Sequence, residues 1–186
     1  MIEYIEETHQ YLYEGVLVPS VSEILGKYLF QNKYSNIPEY ILKAKAEYGS
    51  QLHEAIEKLE QENILINTLS NQQLKSINDY LNIKKENNLE VIKQEEIVCY
   101  KGIYAGRFDM VANVNNLESL IDIKTTAQLD LEYLSWQLSL YELAYGKRFK
   151  KLYALWLPKK EDGQLVEIKR KTKKEIEKLL EEIKWM

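Results

Sequence analysis

Apolar positions recur along this chain at two periods, and the alternation between them marks out the elements. Residues 2–5 and 10–18 alternate apolar with polar, which predicts a small antiparallel unit turning at Glu14-Gly15. Ser20-x-x-Glu23 is a capping-box pattern and opens a short helix to about Phe30. Pro38 suits the first turn of the next helix, expected to run to about Glu62. On it Tyr48, Leu52, Ile56 and Leu59 follow helical spacing and should face the core. Ser70-x-x-Gln73 opens a third helix to about Lys85, with Asn-rich loops on either side.

The second half reads mostly as strands. Val91 to Tyr100 is expected to pair with Tyr104 to Val114 across Lys101-Gly102. Val111 to Val114 and Leu117 to Ile123 are rich in β-branched and aliphatic residues, with Asn115-Asn116 between them as a turn, so a further hairpin follows. Asp130 can cap a helix to about Tyr145. Lys151 to Leu157 reads as a buried strand stopped by Pro158. A turn at Asp162-Gly163 leads to a short strand from Leu165 to Ile168, and Thr172-x-x-Glu175 caps a final helix. No internal repeat or low-complexity segment is present.

Composition sets the class. A chain of 186 residues, 45% hydrophobic and 29% charged, fits one soluble globular domain spanning 1–186. A chain of this length buries about 70% of its unfolded surface and needs no disulfide or zinc to fold. No apolar run is long enough for a membrane span, and the acidic start, Met1-Ile2-Glu3-Tyr4, lacks the pattern of a signal peptide. A cytoplasmic location and no membrane partner are therefore expected. One cysteine, Cys99, excludes an intramolecular disulfide and a multi-cysteine metal cluster.

Charge is uneven along the chain. Residues 1–146 hold 12 Lys and Arg against 22 Asp and Glu, whereas residues 147–186 hold 13 against 7. Such asymmetry can mark a phosphate-contacting surface, although a solvated face explains any single lysine equally well.

The chemistry concentrates between Gly106 and Thr125. Side chains alternate across a strand, so Asp122 and Lys124 share one face while Ile121 and Ile123 share the other. With Asp109 across from them, two carboxylates and a lysine would converge on one face of a sheet whose back is apolar. Hard divalent cations take such carboxylates together with waters and phosphate oxygens. A lysine beside them stabilises charge developing in a transition state. Glu95 and Glu96 face opposite sides of their strand, and periodicity does not choose between them.

Taken together, Gly106-x-x-Asp109, Asp122-Ile123-Lys124-Thr125 and Gln137-x-x-x-Tyr141 resemble the PD-(D/E)XK nuclease superfamily. The similarity is to the branch of the RecB nuclease domain, CRISPR-associated adaptation nucleases and phage exonucleases. That branch also places a histidine on an upstream helix, matched by Gly49-Ser50-Gln51-Leu52-His53, and the resemblance spans about His9 to Tyr145. It implies an α/β (α+β) fold with a restriction-endonuclease-like core, a mixed central β-sheet flanked by helices. It implies that His53, Asp109, Asp122 and the Ile123 carbonyl bind Mg²⁺ or Mn²⁺, with Glu95 rather than Glu96 joining directly or through water. A lone histidine on a helix is otherwise a packing residue; the resemblance makes His53 a ligand, and Gly49 one turn earlier would leave room. Lys124 would position the attacking water.

Gln137 and Tyr141, neighbours at i,i+4, would project near the metal and contact DNA, with the tyrosine ring able to stack on an unpaired base. The resulting expectation is a metal-dependent DNA nuclease, an exonuclease of phage recombination or repair type. The alternatives are a structure- or sequence-specific endonuclease, or a non-catalytic DNA- or protein-binding module. No P-loop is present, so ATP-driven unwinding would need a helicase or recombination partner.

Overall fold

A computed structural model describes all residues except Asn32, Tyr34, Ile64, Leu65, Trp185 and Met186, and omits the side chains of Ile66 and Lys184. The chain opens with a three-stranded antiparallel sheet, β1 (Ile2–Ile5), β2 (Gln10–Tyr13) and β3 (Val16–Val18). Glu14 and Gly15 both have positive φ, 51° and 80°, as the tight turn between β2 and β3 requires. Helix α1 (Val21–Tyr28) starts at the expected capping box: Ser20 Oγ accepts from Glu23 N, and Glu23 accepts from Ser20 N at 2.7 Å. Helices α2 (Glu39–Glu60) and α3 (Asn71–Glu86) follow, α3 with its own capping box at Ser70 and Gln73. On α2, Leu52 and Ile56 are fully buried and Tyr48 and Leu59 pack beside them, as the periodicity predicts.

The main sheet has the order β4-β5-β6-β7-β8, built from β4 (Glu90–Tyr100), β5 (Tyr104–Val114), β6 (Leu117–Lys124), β7 (Lys151–Trp156) and β8 (Gln164–Glu167). Its pairs are antiparallel except β6 with β7, which are parallel. Parallel neighbours need a long crossover, and α4 (Leu131–Tyr145) supplies it. Helix α4 is apolar nearly all round, LEYLSWQLSLYELAY, and is accordingly buried from Leu134 to Glu142. Asp130 caps it through Tyr133 N at 2.9 Å. The final helix, α5 (Lys173–Lys184), begins at Thr172 and Glu175.

This mixed sheet flanked by helices has two apolar layers. Phe108, Val111, Leu120, Leu152 and Ala154 pack against α1, α4 and α5. Met110, Ala112, Ile121, Ile123 and Leu155 pack against α2 and α3. Each large side chain buried there contributes about 1.5–3 kcal/mol. The small sheet is tied on by Ala105 N, which donates to Pro19 O at 2.9 Å, and by Tyr13, which lies over the turn at Gly102. A Cβ at Gly102 would come within 2.7 Å of the Tyr13 ring. Among the described residues no helix is long and apolar enough to cross a membrane.

One detail departs from expectation, and one adds to it. Strict alternation along β4 fails: the register with β5 shifts between Val91 and Lys93, and Glu95 sits in the left-handed region at φ 50°. The basic C-terminal stretch, which fits either a phosphate-facing surface or a solvated face, has several of its cations paired with carboxylates. Lys147 pairs with Glu118, Lys151 with Glu167, Arg170 with Glu142, Lys171 with Glu132 and Lys173 with Glu177. These partners lie far apart in sequence in most cases, so composition could not reveal them.

Candidate functional site

Strands β5 and β6 pair only from Met110↔Ile121 to Val114↔Leu117. Beyond that point they diverge, β5 continuing beside β4 and β6 beside β7. Asp109 and Asp122 are the first residues past the last pair, so both lie at the fork. The carboxylates therefore meet where two strands separate, not across one flat face as alternation suggests. Asp109 closes the fork: its Oδ2 accepts from Ile123 N at 2.6 Å. Its Oδ1 lies 3.3 Å from His53 Nδ1, and His53 Nε2 lies 3.1 Å from the Ile123 carbonyl oxygen. Thus His53, Asp109 and Ile123, three of the expected ligands, touch one another directly.

Glu95 joins them from β4. Ligand atoms of His53, Glu95 and Asp109 all lie within 4.8 Å of one another. Holding a glutamate at φ 50° costs about 1–2 kcal/mol. Such bends re-aim side chains and gather near functional sites. Glu96, its neighbour, turns away and pairs with Lys93 at 2.6 Å. Asp122 stands beside this trio rather than in it. It is 3% exposed, and its Oδ2 meets Lys124 Nζ at 2.5 Å without a well-formed hydrogen bond.

Burial and mutual charge set the protonation of the group. Burial opposes charge on His53, but the adjacent Asp109 carboxylate outweighs it and lifts the imidazole to about 9. Burial and the Asp109 charge raise Glu95 to about 7, against the pull of Arg107 and His53. Burial likewise carries Asp122 to about 6 although Lys124 opposes it. Asp109 is held below its usual range, because His53, Lys124 and the Ile123 amide overcome its burial. Lys124 stays charged, since Asp122 and Asp109 outweigh its burial. The three carboxylates are thus balanced by an imidazolium, an ammonium and the Arg107 guanidinium, 2.9 Å from Glu95.

Gln137 and Tyr141 reach the same region from α4, yet both are only 6% exposed. Gln137 Nε2 donates to Tyr141 Oη at 3.4 Å, while Gln137 Oε1 has no partner among the described residues. The Tyr141 ring lies against Gly106, where an added Cβ would come within 2.5 Å of it. That explains the glycine of Gly106-x-x-Asp109 as a packing requirement. It also corrects the expectation that this ring stacks on a base, because the protein itself covers it. At Gly49 an added Cβ would meet only Thr125 Oγ1 at 3.5 Å, ordinary contact, so an alanine would also fit there. His9 is structural, accepting from or donating to Tyr4 Oη at 2.6 Å. Arg107 had no role in the sequence reading; its place beside Glu95 follows from the strand pairing, in which Ile97 faces Arg107.

No protein-family profile and no curated protein matches the chain. Among solved structures, the crystal structure of SSO0001 is similar, with a TM-score of 0.51 and 16% identity over 90% of this chain and 75% of that one. At that identity the likeness is one of fold.

Proposed function

We propose that the chain is a metal-dependent DNA nuclease of the PD-(D/E)XK type, acting as an exonuclease. One observation carries this reading: His53, Glu95 and Asp109 present ligand atoms within 4.8 Å of one another at the sheet fork, beside the Asp122–Lys124 pair. The donor set suits Mg²⁺ or Mn²⁺, being carboxylates with one imidazole. The poorly satisfied buried oxygens, Asp122 Oδ2 and Gln137 Oε1, are acceptors that protein partners leave over. His53, Asp109, Asp122 and the Ile123 carbonyl would hold the cation, which when bound would supply a Lewis acid and a water of lowered pKa. Binding through a ring nitrogen would displace a proton from His53, whose Nδ1 faces Asp109 and whose Nε2 faces the Ile123 carbonyl.

The residues around it have separable tasks. Lys124, tethered to Asp122, orients a water and faces developing negative charge. Gln137 and Tyr141 support the floor of the site from α4 and fix the backbone at Gly106. Glu95 is aimed into the fork by its bent backbone. The decisive experiment incubates the protein with end-labelled linear DNA and covalently closed circular DNA, with Mg²⁺ or Mn²⁺. Shortening of the linear form alone is expected. Cutting of the circle would make it an endonuclease, and binding without cleavage a non-catalytic module. Cleavage undiminished in EDTA would overturn the reading.

A further inference from the structure

Arg107 is an arginine with unused donors. Its Nε lies 2.9 Å from Glu95 Oε2, but it makes no well-formed hydrogen bond to any described residue. The arginine beside Glu142 behaves differently: Arg170 gives Nε and Nη2 to Glu142 at 2.6 and 3.0 Å and Nη2 again to Phe149 O at 2.8 Å. A guanidinium carries five donors in a rigid fork suited to oxyanions. At Arg107 that fork is held but not filled.

What holds it is the small N-terminal sheet. The guanidinium carbon lies 5.0 Å from the Tyr4 ring centroid, a cation–π arrangement. Tyr4 is itself fixed, by its hydroxyl to His9 at 2.6 Å and by its ring against Tyr11 at 4.9 Å. The side chain of Arg107 is 34% exposed against 20% for Glu95, so the arginine stands on the solvent side of the acid. The shelf thus presents a pre-positioned guanidinium at the rim of the fork, between solvent and the carboxylates.

We infer that Arg107 binds a phosphate oxygen of the DNA backbone, its guanidinium passing from Glu95 to the substrate when Glu95 engages the cation. This rests on the nuclease reading and adds to it a substrate contact outside the expected set. The physical reason is charge balance. Arg107 compensates Glu95 while the site holds only protein charges; a divalent cation takes over that compensation and leaves the guanidinium for the incoming anion. The N-terminal sheet then has a task in recognition, supplying the aromatic shelf that keeps the guanidinium at the rim.

Salt dependence of binding tests this, because a merely structural arginine does not move it. In a Lys124→Ala background, which spares the DNA and keeps the proposed cation ligands, affinity for a partly single-stranded DNA is measured against salt concentration with Mn²⁺ present. Arg107→Gln is expected to lower affinity about tenfold and to flatten the slope of log affinity against log salt by about 0.7 to 0.9. Arg107→Lys should weaken binding while keeping the slope, since the charge remains. To avoid a lone buried acid, the pair Glu95→Gln with Arg107→Gln is compared with Glu95→Gln alone, and the same flattening is expected. An unchanged slope in both comparisons, with the starting protein binding normally, overturns the assignment of Arg107 and leaves the nuclease reading standing. A starting protein that binds no DNA at low salt overturns both.

Discussion

Two clusters of buried charge in this molecule are built differently. At Glu142, on the inner face of α4, Oε1 accepts from Phe149 N at 2.8 Å and from Arg170 Nη2, and Oε2 accepts from Arg170 Nε. Arg170 also donates to the Phe149 carbonyl. Both carboxylate oxygens have partners, and the knot fastens α4 to the segments before β7 and after β8. At the fork, by contrast, Asp122 Oδ2 meets one ammonium in poor geometry, Gln137 Oε1 meets nothing described, and Glu95 bends its backbone to point inward. A finished cluster stabilises; an unfinished one is costly to keep and marks a place where something else completes it. On the proposed function the contrast is between structural and working charge, and substitution tests it on both sides.

The largest effect is expected at the fork. Asp122→Asn keeps the side-chain volume and removes the charge, so cleavage should fall by at least about a hundredfold while circular dichroism and DNA binding persist. Lys124→Ala should slow cleavage similarly with less loss of metal affinity. Cleavage at the starting rate by either purified variant would move the catalytic group elsewhere.

Arg170→Met tests the other side. Leaving Glu142 without its partner should cost about 3 kcal/mol and lower the melting temperature by about 6–12 °C, with the rate of cleavage unchanged below the transition. A drop in rate without a drop in stability would erase the distinction between the clusters.

Metal addition should sharpen it further. Mn²⁺ at about a hundred times its dissociation constant should add about 2.7 kcal/mol of stability to the starting protein and to Arg170→Met. His53→Ala should lose most of that gain. Equal stabilisation of all three, read by thermal melts, would place the cation away from the fork.

The smallest effects separate two adjacent acids. Glu95→Gln should cut activity by at least about tenfold, and Glu96→Gln should stay near the starting rate. Backbone strain gives a second reading. Glu96→Gly, where φ is ordinary, should cost about 0.5–1 kcal/mol. Glu95→Gly should be neutral or slightly stabilising, since it relieves φ 50° and a buried charge. The reverse order of stabilities would mean that the bend is not strained.

Much of this protein was determined by the sequence alone, wherever the deciding interaction is local. Ser20, Ser70, Asp130 and Thr172 cap their helices through residues three positions on. Asn115 and Asn116 take positive φ, 48° and 65°, because the turn between β5 and β6 demands it. Alternation put Asp122 with Lys124 and Ile121 with Ile123, and the two isoleucines do enter the α2–α3 layer. The resemblance, not periodicity, favoured Glu95 over Glu96. Tertiary structure decided the rest: a fork instead of a flat face, Tyr141 covered by its packing on Gly106, Arg107 posted on Tyr4, and lysines of the basic stretch tied to distant acids. Each depends on groups far apart in the chain or on where two strands part. Burial and charge then act through space, so no local pattern of residues records them.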